Sequence, residues 1–495
     1  MSPRSIPTVH RRYAPGLTGI LSLAALVTPM LGQNSASISN CDHVITTRDA
    51  ARCIGSERPN APIPVLDPKH TYSLPELIDI TEMASPEGRI AWATAKRSLE
   101  RTGIDRALYL PILTLVAQGS DARVIVPFPE PIAPRGYVIV EEPLASEQLQ
   151  LEYDLLDFGR GPKLDGSKAL EIASTLRLGR IHQTLAYATA TQFYRTQSAM
   201  GQLTAAKVIL QTAETLLSNA QSQYDNGRAT IPDLQNAQAG SDEARYNLAS
   251  AEGEVQKAKL ALTEAIGVEP SAEIQIVEQK DSDLPGSFDT SIEELIHNAW
   301  KTRPDLLARA AELRSAHDAY RTARAAYLPK ASFDATGGQT NAWPTADTGV
   351  VGPAGVATWS VEAKLRWDIF NGARRHELES TLAEQKAAGE EQRATQDTVS
   401  REVWEAYVDY HTALEQLHAS QSFLASAQIS YDSSLDAFKY GVRSLVDVVE
   451  SEQQLAQARL ALVRSQAQLM QSAAALSYAT GALLQGNPTL PGAHP

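Results

Sequence analysis

Apolar positions along this chain recur with two different periods, and the two periods follow one another in the same order twice. Leu203, Leu210, Leu217 and Tyr224 stand seven residues apart, with Ala206, Ala213 and Ala220 three residues behind them. A second arm carries Leu234, Ser241, Leu248, Val255 and Leu262 interleaved with Ala237, Ala244, Ala251, Ala258 and Ala265. The frame returns in Leu417, Leu424, Tyr431 and Phe438, then in Val448, Leu455, Leu462, Leu469 and Leu476 with Ser451, Ala458, Ser465, Ser472 and Ala479. A sustained 3-4 spacing predicts coiled-coil hairpins, and the Ala or Ser row lets helix backbones approach closely. Asn226-Gly227 and Tyr440-Gly441 supply helix stops between the arms. A single helix from Gly159 to Tyr224 is ~100 Å long. No globular core buries such a rod, so other rods must cover its seam.

Ahead of each hairpin the period drops to two. Trp359, Val361, Ala363, Leu365, Trp367 and Ile369 alternate with Ser360, Glu362, Lys364, Arg366 and Asp368, and Leu149, Leu151, Tyr153 and Leu155 alternate with Gln150, Glu152 and Asp154. Any half-buried strand alternates in this way, but strands of ~9–11 residues with interfacial aromatics and a polar second face suit a membrane barrel. An amphipathic helical segment precedes each strand pair and ends at Leu110-Pro111 or Leu328-Pro329.

These landmarks mark a duplication. Leu77, Pro86-Glu87 and Leu108-Tyr109-Leu110-Pro111 recur 218 residues later as Leu295, Pro304-Asp305 and Ala326-Tyr327-Leu328-Pro329. Asp157-Phe158-Gly159 recurs at 213 as Phe370-Asn371-Gly372, and Gly227, Asp233 and Gly267 at 214 as Gly441, Asp447 and Gly481. The change of offset places a loop of different length between the strands. The chain therefore divides into a leader (1–36), an N-terminal segment (37–71), a first copy (72–270), a linker (271–289), a second copy (290–484) and a tail (485–495). Four strands do not close a barrel, whose smallest bacterial form has 8. Closure demands several copies, and a trimer with 12 strands or a dimer with 8 both satisfy it.

The only continuous apolar run, Leu17 to Leu31, follows Arg4, His10, Arg11 and Arg12 and precedes small residues up to Ala36. It reads as an export signal cleaved near Ala36; as an anchor helix it is short and interrupted by Ser22, Thr28 and Pro29. Cys41 and Cys53, the only cysteines, lie just beyond. In an exported chain they read as a disulfide, with lipidation of Cys41 or two free thiols as the alternatives. The 58 acidic residues outnumber the 44 Lys and Arg, for a net charge of −14, which argues against nucleic acid as a partner. Mean hydropathy is −0.24, but an alternating strand averages its polar face against its apolar one, so the value leaves membrane strands open.

The ordered, duplicated set of helix, Tyr-Leu-Pro, strand pair, Asp/Asn-Gly and heptad hairpin resembles the TolC-like outer-membrane efflux proteins, from about 72 to 484. The resemblance implies an α+β membrane protein in the outer membrane. It implies a homotrimer whose twelve-stranded β-barrel, four strands per chain, continues as a periplasmic α-helical barrel. It also implies an outer-membrane channel that serves as a passive conduit in a tripartite efflux or type I secretion system, with a periplasmic adaptor (membrane fusion protein) and an inner-membrane pump as partners. A periplasmic coiled-coil adaptor or structural rod is the competing reading, although such proteins normally carry one hairpin.

Just past the second helix stop, Asp447 and Glu450 stand three apart on one helix face, where symmetry would turn each into a ring of carboxylates. First-turn acids equally stabilise a helix dipole with no further role; the resemblance favours an aperture. It further implies a latch from Arg443 and Phe438 toward Asp233, although Phe438 lacks a tyrosine hydroxyl and Pro232 replaces a small polar residue. No catalytic constellation or cofactor motif emerges. His182, His411 and His418 occupy surface-like helix positions, and the His411–His418 pair has no third ligand for a metal.

Overall fold

A computed structural model describes residues 66–483, except 132, 278–283, 287–289, 348 and 351. Cys41, Cys53 and the leader lie outside the described residues. The elements run β1 (Thr71–Tyr72), α1 (Leu74–Ala84), α2 (Pro86–Ala107), β2 (Ile112–Pro127), β3 (Tyr137–Leu156), α3 (Arg160–Asp225), α4 (Ile231–Ile266), β4 (Gln275–Ile276) and α5 (Ile292–Thr302). They continue with α6 (Pro304–Ala325), β5 (Lys330–Ala342), β6 (Thr345–Ala346), β7 (Gly349–Val350), β8 (Ala354–Arg366), α7 (Ala373–Lys439) and α8 (Leu445–Thr480).

The duplication is visible element by element. α1 and α5 each have 11 residues, α2 and α6 have 22, α3 and α7 have 66 and 67, and α4 and α8 have 36. Pro86 and Pro304 start α2 and α6 at the position where a missing N–H costs nothing. At 1.5 Å per residue α3 and α7 each span ~100 Å. The strand regions differ most, with β2 and β3 of 16 and 20 residues against 13 each for β5 and β8. All four exceed the 9–11 residues expected, because ladder pairing runs on past the alternating stretch. β8 also stops at Arg366, leaving Trp367, Ile369 and Phe370 as an exposed apolar strip beyond the strand.

β2, β3, β5 and β8 run side by side in that order in one antiparallel sheet, which the short β6 and β7 join through β3. The central pair joins the two copies, since Leu151 of β3 faces Ala335 of β5. The linker also holds a strand the periodicity did not show: β4 pairs in parallel with β1.

Helix packing follows the small residues. Ala206, Ala213 and Ala220 of α3 are buried against α4, whose Ala237, Ala244 and Ala258 are buried in turn. Leu203, Leu210 and Leu217 are only half-buried and Tyr224 is exposed, so within one chain the large row is the incompletely covered one. Apolar clusters are strung along the rods: one gathers Leu77, Phe193, Leu262 and Ile266, another Val399, Val403, Tyr410, Leu469 and Leu476. The C-terminal end of α8 is tied down by cations, which suit the orphan carbonyls of a helix end. Arg303 donates to Ala479 O (3.2 Å) and Arg180 to Tyr478 O (3.0 Å), with the Arg180 guanidinium 3.7 Å from the Tyr478 ring centroid.

Candidate functional site

The sheet sorts its side chains by face, because residues directly paired across strands project on the same side. Leu113, Leu151, Ala335 and Val361 form one cross-strand row, and Leu115, Leu149, Gly337 and Trp359 the next. Trp359 is 79% and Leu365 75% exposed, a cost that water does not repay and a bilayer does. The opposite face carries Glu152, Asp334 and Glu362 side by side on β3, β5 and β8. Lys364 reaches Glu362 at 2.7 Å and Asp334 at 3.5 Å. The outer edges of β2 and β8 have no strand partner among the described residues, and open edges do not persist in hydrocarbon.

At the far end of the helices the two hairpin tips share one design. Gly227 (φ 70°) and Gly441 (φ 75°) take the left-handed conformation that lets each long helix stop and the chain turn back. Thr230 and Ser444 then begin α4 and α8 with reciprocal capping boxes. Asp233 Oδ2 accepts from Thr230 N (2.9 Å) and Oγ1 (2.6 Å), and Asp447 Oδ2 accepts from Ser444 N (2.9 Å) and Oγ (2.8 Å). The Thr230 hydroxyl, and then its amide, hold the Asp233 carboxyl below its ordinary range. The Ser444 hydroxyl and amide do the same for Asp447, with the nearby Arg443 charge as a smaller cause. The Thr/Ser-x-x-Asp spacing at both tips is the sequence signal for this cap, and it explains why Asp233 and Asp447 recur.

Of the residues singled out at the tips, Glu450 is exposed on the first turns of α8 and Asp447 is committed through one oxygen to its cap. Arg443 donates to Ser434 Oγ at 2.8 Å on its own hairpin, and no ion pair joins it to Asp233 within the described residues of one chain. Phe438 packs on an apolar cluster of Ala220, Ala237 and Leu445, with Leu217, Leu234 and Val449 around it. That cluster draws on both hairpins, so Phe438 makes apolar contact between the tips.

Between the hairpins runs a groove of about 900 Å³ lined by α3, α4 and α8. Glu452 lies against it, 8% exposed, facing Glu243. Burial first, opposed by the Arg459 charge and reinforced by Glu243, pushes its carboxyl up to about 7. Sequence pattern did not mark Glu452. His411, expected at the surface, is half-buried with its ring 4.4 Å from that of Tyr407, and His182 lies 3.4 Å from Glu82. Among the described residues no group of three His, Cys, Asp or Glu could hold a metal ion, and no helix is long and apolar enough to cross a membrane.

A sheet with one apolar face, unpaired edges and direct continuity into ~100 Å helices is a subunit of a membrane channel. The model of the outer membrane efflux protein family matches residues 84–268 and 295–482. The chain is 24% identical over 326 residues to the cation efflux system protein CusC of Escherichia coli, covering 64% of this chain and 68% of CusC. It is 27% identical over 410 residues to protein CyaE of Bordetella pertussis, covering 80% and 81% of the two. Among solved structures, the outer-membrane channel OprN matches with a TM-score of 0.69 at 17% identity, over 85% of this chain and 95% of OprN. CusC matches with 0.68 at 19%, over 86% and 98%. The chain belongs to the outer membrane efflux protein family. It is an outer-membrane efflux channel component that extends into the periplasm, and the reading as a periplasmic rod falls. The family is one of channels, not enzymes.

Proposed function

We propose that three copies of this chain close a twelve-stranded barrel and continue below it as one helical tube, a passive conduit for export. The observation that carries this reading is the pair of edges, β2 and β8, left unpaired among the described residues on a sheet whose four long strands share an apolar outer face. Eight strands would also close, but an eight-stranded interior is just wide enough to be filled by side chains, so a conduit needs the larger ring. The apolar rows then face lipid, and Glu152, Asp334, Glu362 and Lys364 line the lumen. The division into a leader (1–36), an N-terminal segment (37–71), two copies (72–270 and 290–484), a linker (271–289) and a tail (485–495) belongs to the same reading.

The hairpin tips form the periplasmic aperture. Asp447 and Glu450 become rings of three carboxylates that attract cations and repel one another. Arg443 latches to Asp233 of a facing hairpin in exchange for its bond to Ser434, with Phe438 as an apolar wedge beside it. A periplasmic adaptor and an inner-membrane pump supply cargo and energy. The cargo spans drugs, metals or other substrates: relatives are named for cation efflux, for pyoverdine export and for antibiotic efflux, and that spread suits a lumen that does not select chemically.

The mass of the detergent-solubilised protein tests the assembly. Three chains are expected, whereas a monomer or dimer that keeps its helicity sinks the proposal. Arg443→Ala should raise opening frequency in planar bilayers; unchanged conductance and opening remove the latch.

A further inference from the structure

Each copy of the repeated Tyr-Leu-Pro motif meets a buried arginine. Arg160, the first residue of α3, is 8% exposed and Arg374, at the start of α7, is 6% exposed. Arg160 donates through Nη1 to Leu108 O (3.1 Å) and through Nη2 to Leu155 O (3.3 Å), with its Cζ 4.9 Å from the centroid of the Tyr109 ring. Arg374 donates through Nη1 to Ala326 O (3.3 Å) and through Nη2 to Asp368 O, 5.4 Å from the Tyr327 ring. The partners are equivalent positions of the two copies: the residue before Tyr-Leu-Pro, the end of the strand pair, and the tyrosine. In both copies Nε is buried without an acceptor among the described residues. The joint thus repeats down to the nitrogen it leaves unused.

Each guanidinium ties together three segments that meet where the sheet becomes the tube: the end of α2 or α6, the exit from β3 or β8, and the start of α3 or α7. A planar fork reaches two carbonyls on different segments while its face lies on an aromatic ring, and an ammonium does not reproduce that geometry. The carbonyls of Leu108 and Ala326 follow helix ends, where acceptors lack intrahelical donors. A bridge from Lys330 to Asp157 (3.0 Å) links the start of β5 to the end of β3 at the same level.

We infer that Arg160 and Arg374, seated on Tyr109 and Tyr327, are positioning residues that set the angle at which strands pass into helices and so keep barrel and tube on one axis. The inference rests on the channel reading. Loss of the joint misaligns the lumen at the junction without removing either section.

The test combines Arg160→Lys with Arg374→Lys in the full-length protein, read by heat-resistant oligomer on gels and by single-channel conductance in planar bilayers. Expected is an assembled oligomer whose conductance drops at least twofold and spreads between channels. Tyr109→Leu with Tyr327→Leu should reproduce that spread, and Tyr109→Phe with Tyr327→Phe should restore the wild-type value. Lysine variants with wild-type conductance and spread overturn the inference. If the lysine variants fail to assemble, the leucine pair decides, and unchanged conductance there overturns it. A wild-type protein that forms no pores refutes the channel reading instead, so the two failures are distinguishable.

Discussion

Glu452 offers the sharpest energetic test of how the two hairpins are held together. It belongs to α8, in hairpin two, and faces Glu243 of α4, in hairpin one, with Tyr431 of α7 and Arg459 of α8 nearby. Its carboxyl rises from 4.5 to about 7 on folding. The folded state therefore binds the proton more tightly than the unfolded chain. This group's penalty is absent below pH 4.5, grows as pH rises through the window from 4.5 to about 7, and is complete above it. At about 1.4 kcal/mol per pH unit the full penalty is at most about 3 to 4 kcal/mol. Water reaching the carboxyl from the groove relieves part of the burial cost, the largest cause, and brings the figure to about 1–2 kcal/mol. Glu452→Gln keeps the shape and removes the ionisation. Melting of the solubilised oligomer, followed by helical circular dichroism at pH 5 and pH 8, should show wild type less stable at pH 8 than the variant by about 1–2 °C. The difference should shrink to about a quarter at pH 5, just inside that window. A variant that melts at or below wild type at pH 8 refutes the reasoning.

The two acids at the second tip should separate by assay. Asp447→Asn weakens the capping box and lowers the melting temperature, whereas Glu450→Gln leaves melting unchanged and lowers the cation preference measured by reversal potential. Gly201 of α3 marks a close approach to α8, since a Cβ there would lie 2.7 Å from Cγ1 of Val463. Gly201→Ala should therefore cost about 1–3 kcal/mol by overpacking, despite the usual gain of about 1 kcal/mol for Ala over Gly in a helix, and Val463→Ala should restore the melt. In the barrel, Glu152→Gln with Asp334→Asn and Glu362→Gln should move the reversal potential toward that of an unselective pore, while Lys364→Ala should move it the other way.

Much of the molecule was legible because the forces that specify it act over one or two helical turns. Seven-residue spacing and the stops at Gly227 and Gly441 define the hairpins. Alternation in Trp359–Leu365 defines a strand with one apolar face, and Pro86 and Pro304 mark helix starts. Local boxes at Thr230–Asp233 and Ser444–Asp447 were equally present in the letters. They give both aspartates a structural task in addition to any ring they form.

What the tertiary structure decided depends on which distant segments meet, and no local period encodes that. Pairing of β3 with β5 makes two repeats into one sheet. Phe438 gains its partners from hairpin one, Arg443 finds Ser434, and β4 emerges from an apparent linker because β1 lies beside it. Glu452 looks like any acid on a heptad helix until α4 closes over it, and Arg160 and Arg374 look like surface cations until three chain segments converge on each. Sequence alone determined the elements and their duplication, since side-chain periodicity is a short-range property. Burial, charge environment and the unpaired edges of β2 and β8 come only from packing, because they are properties of the space between elements.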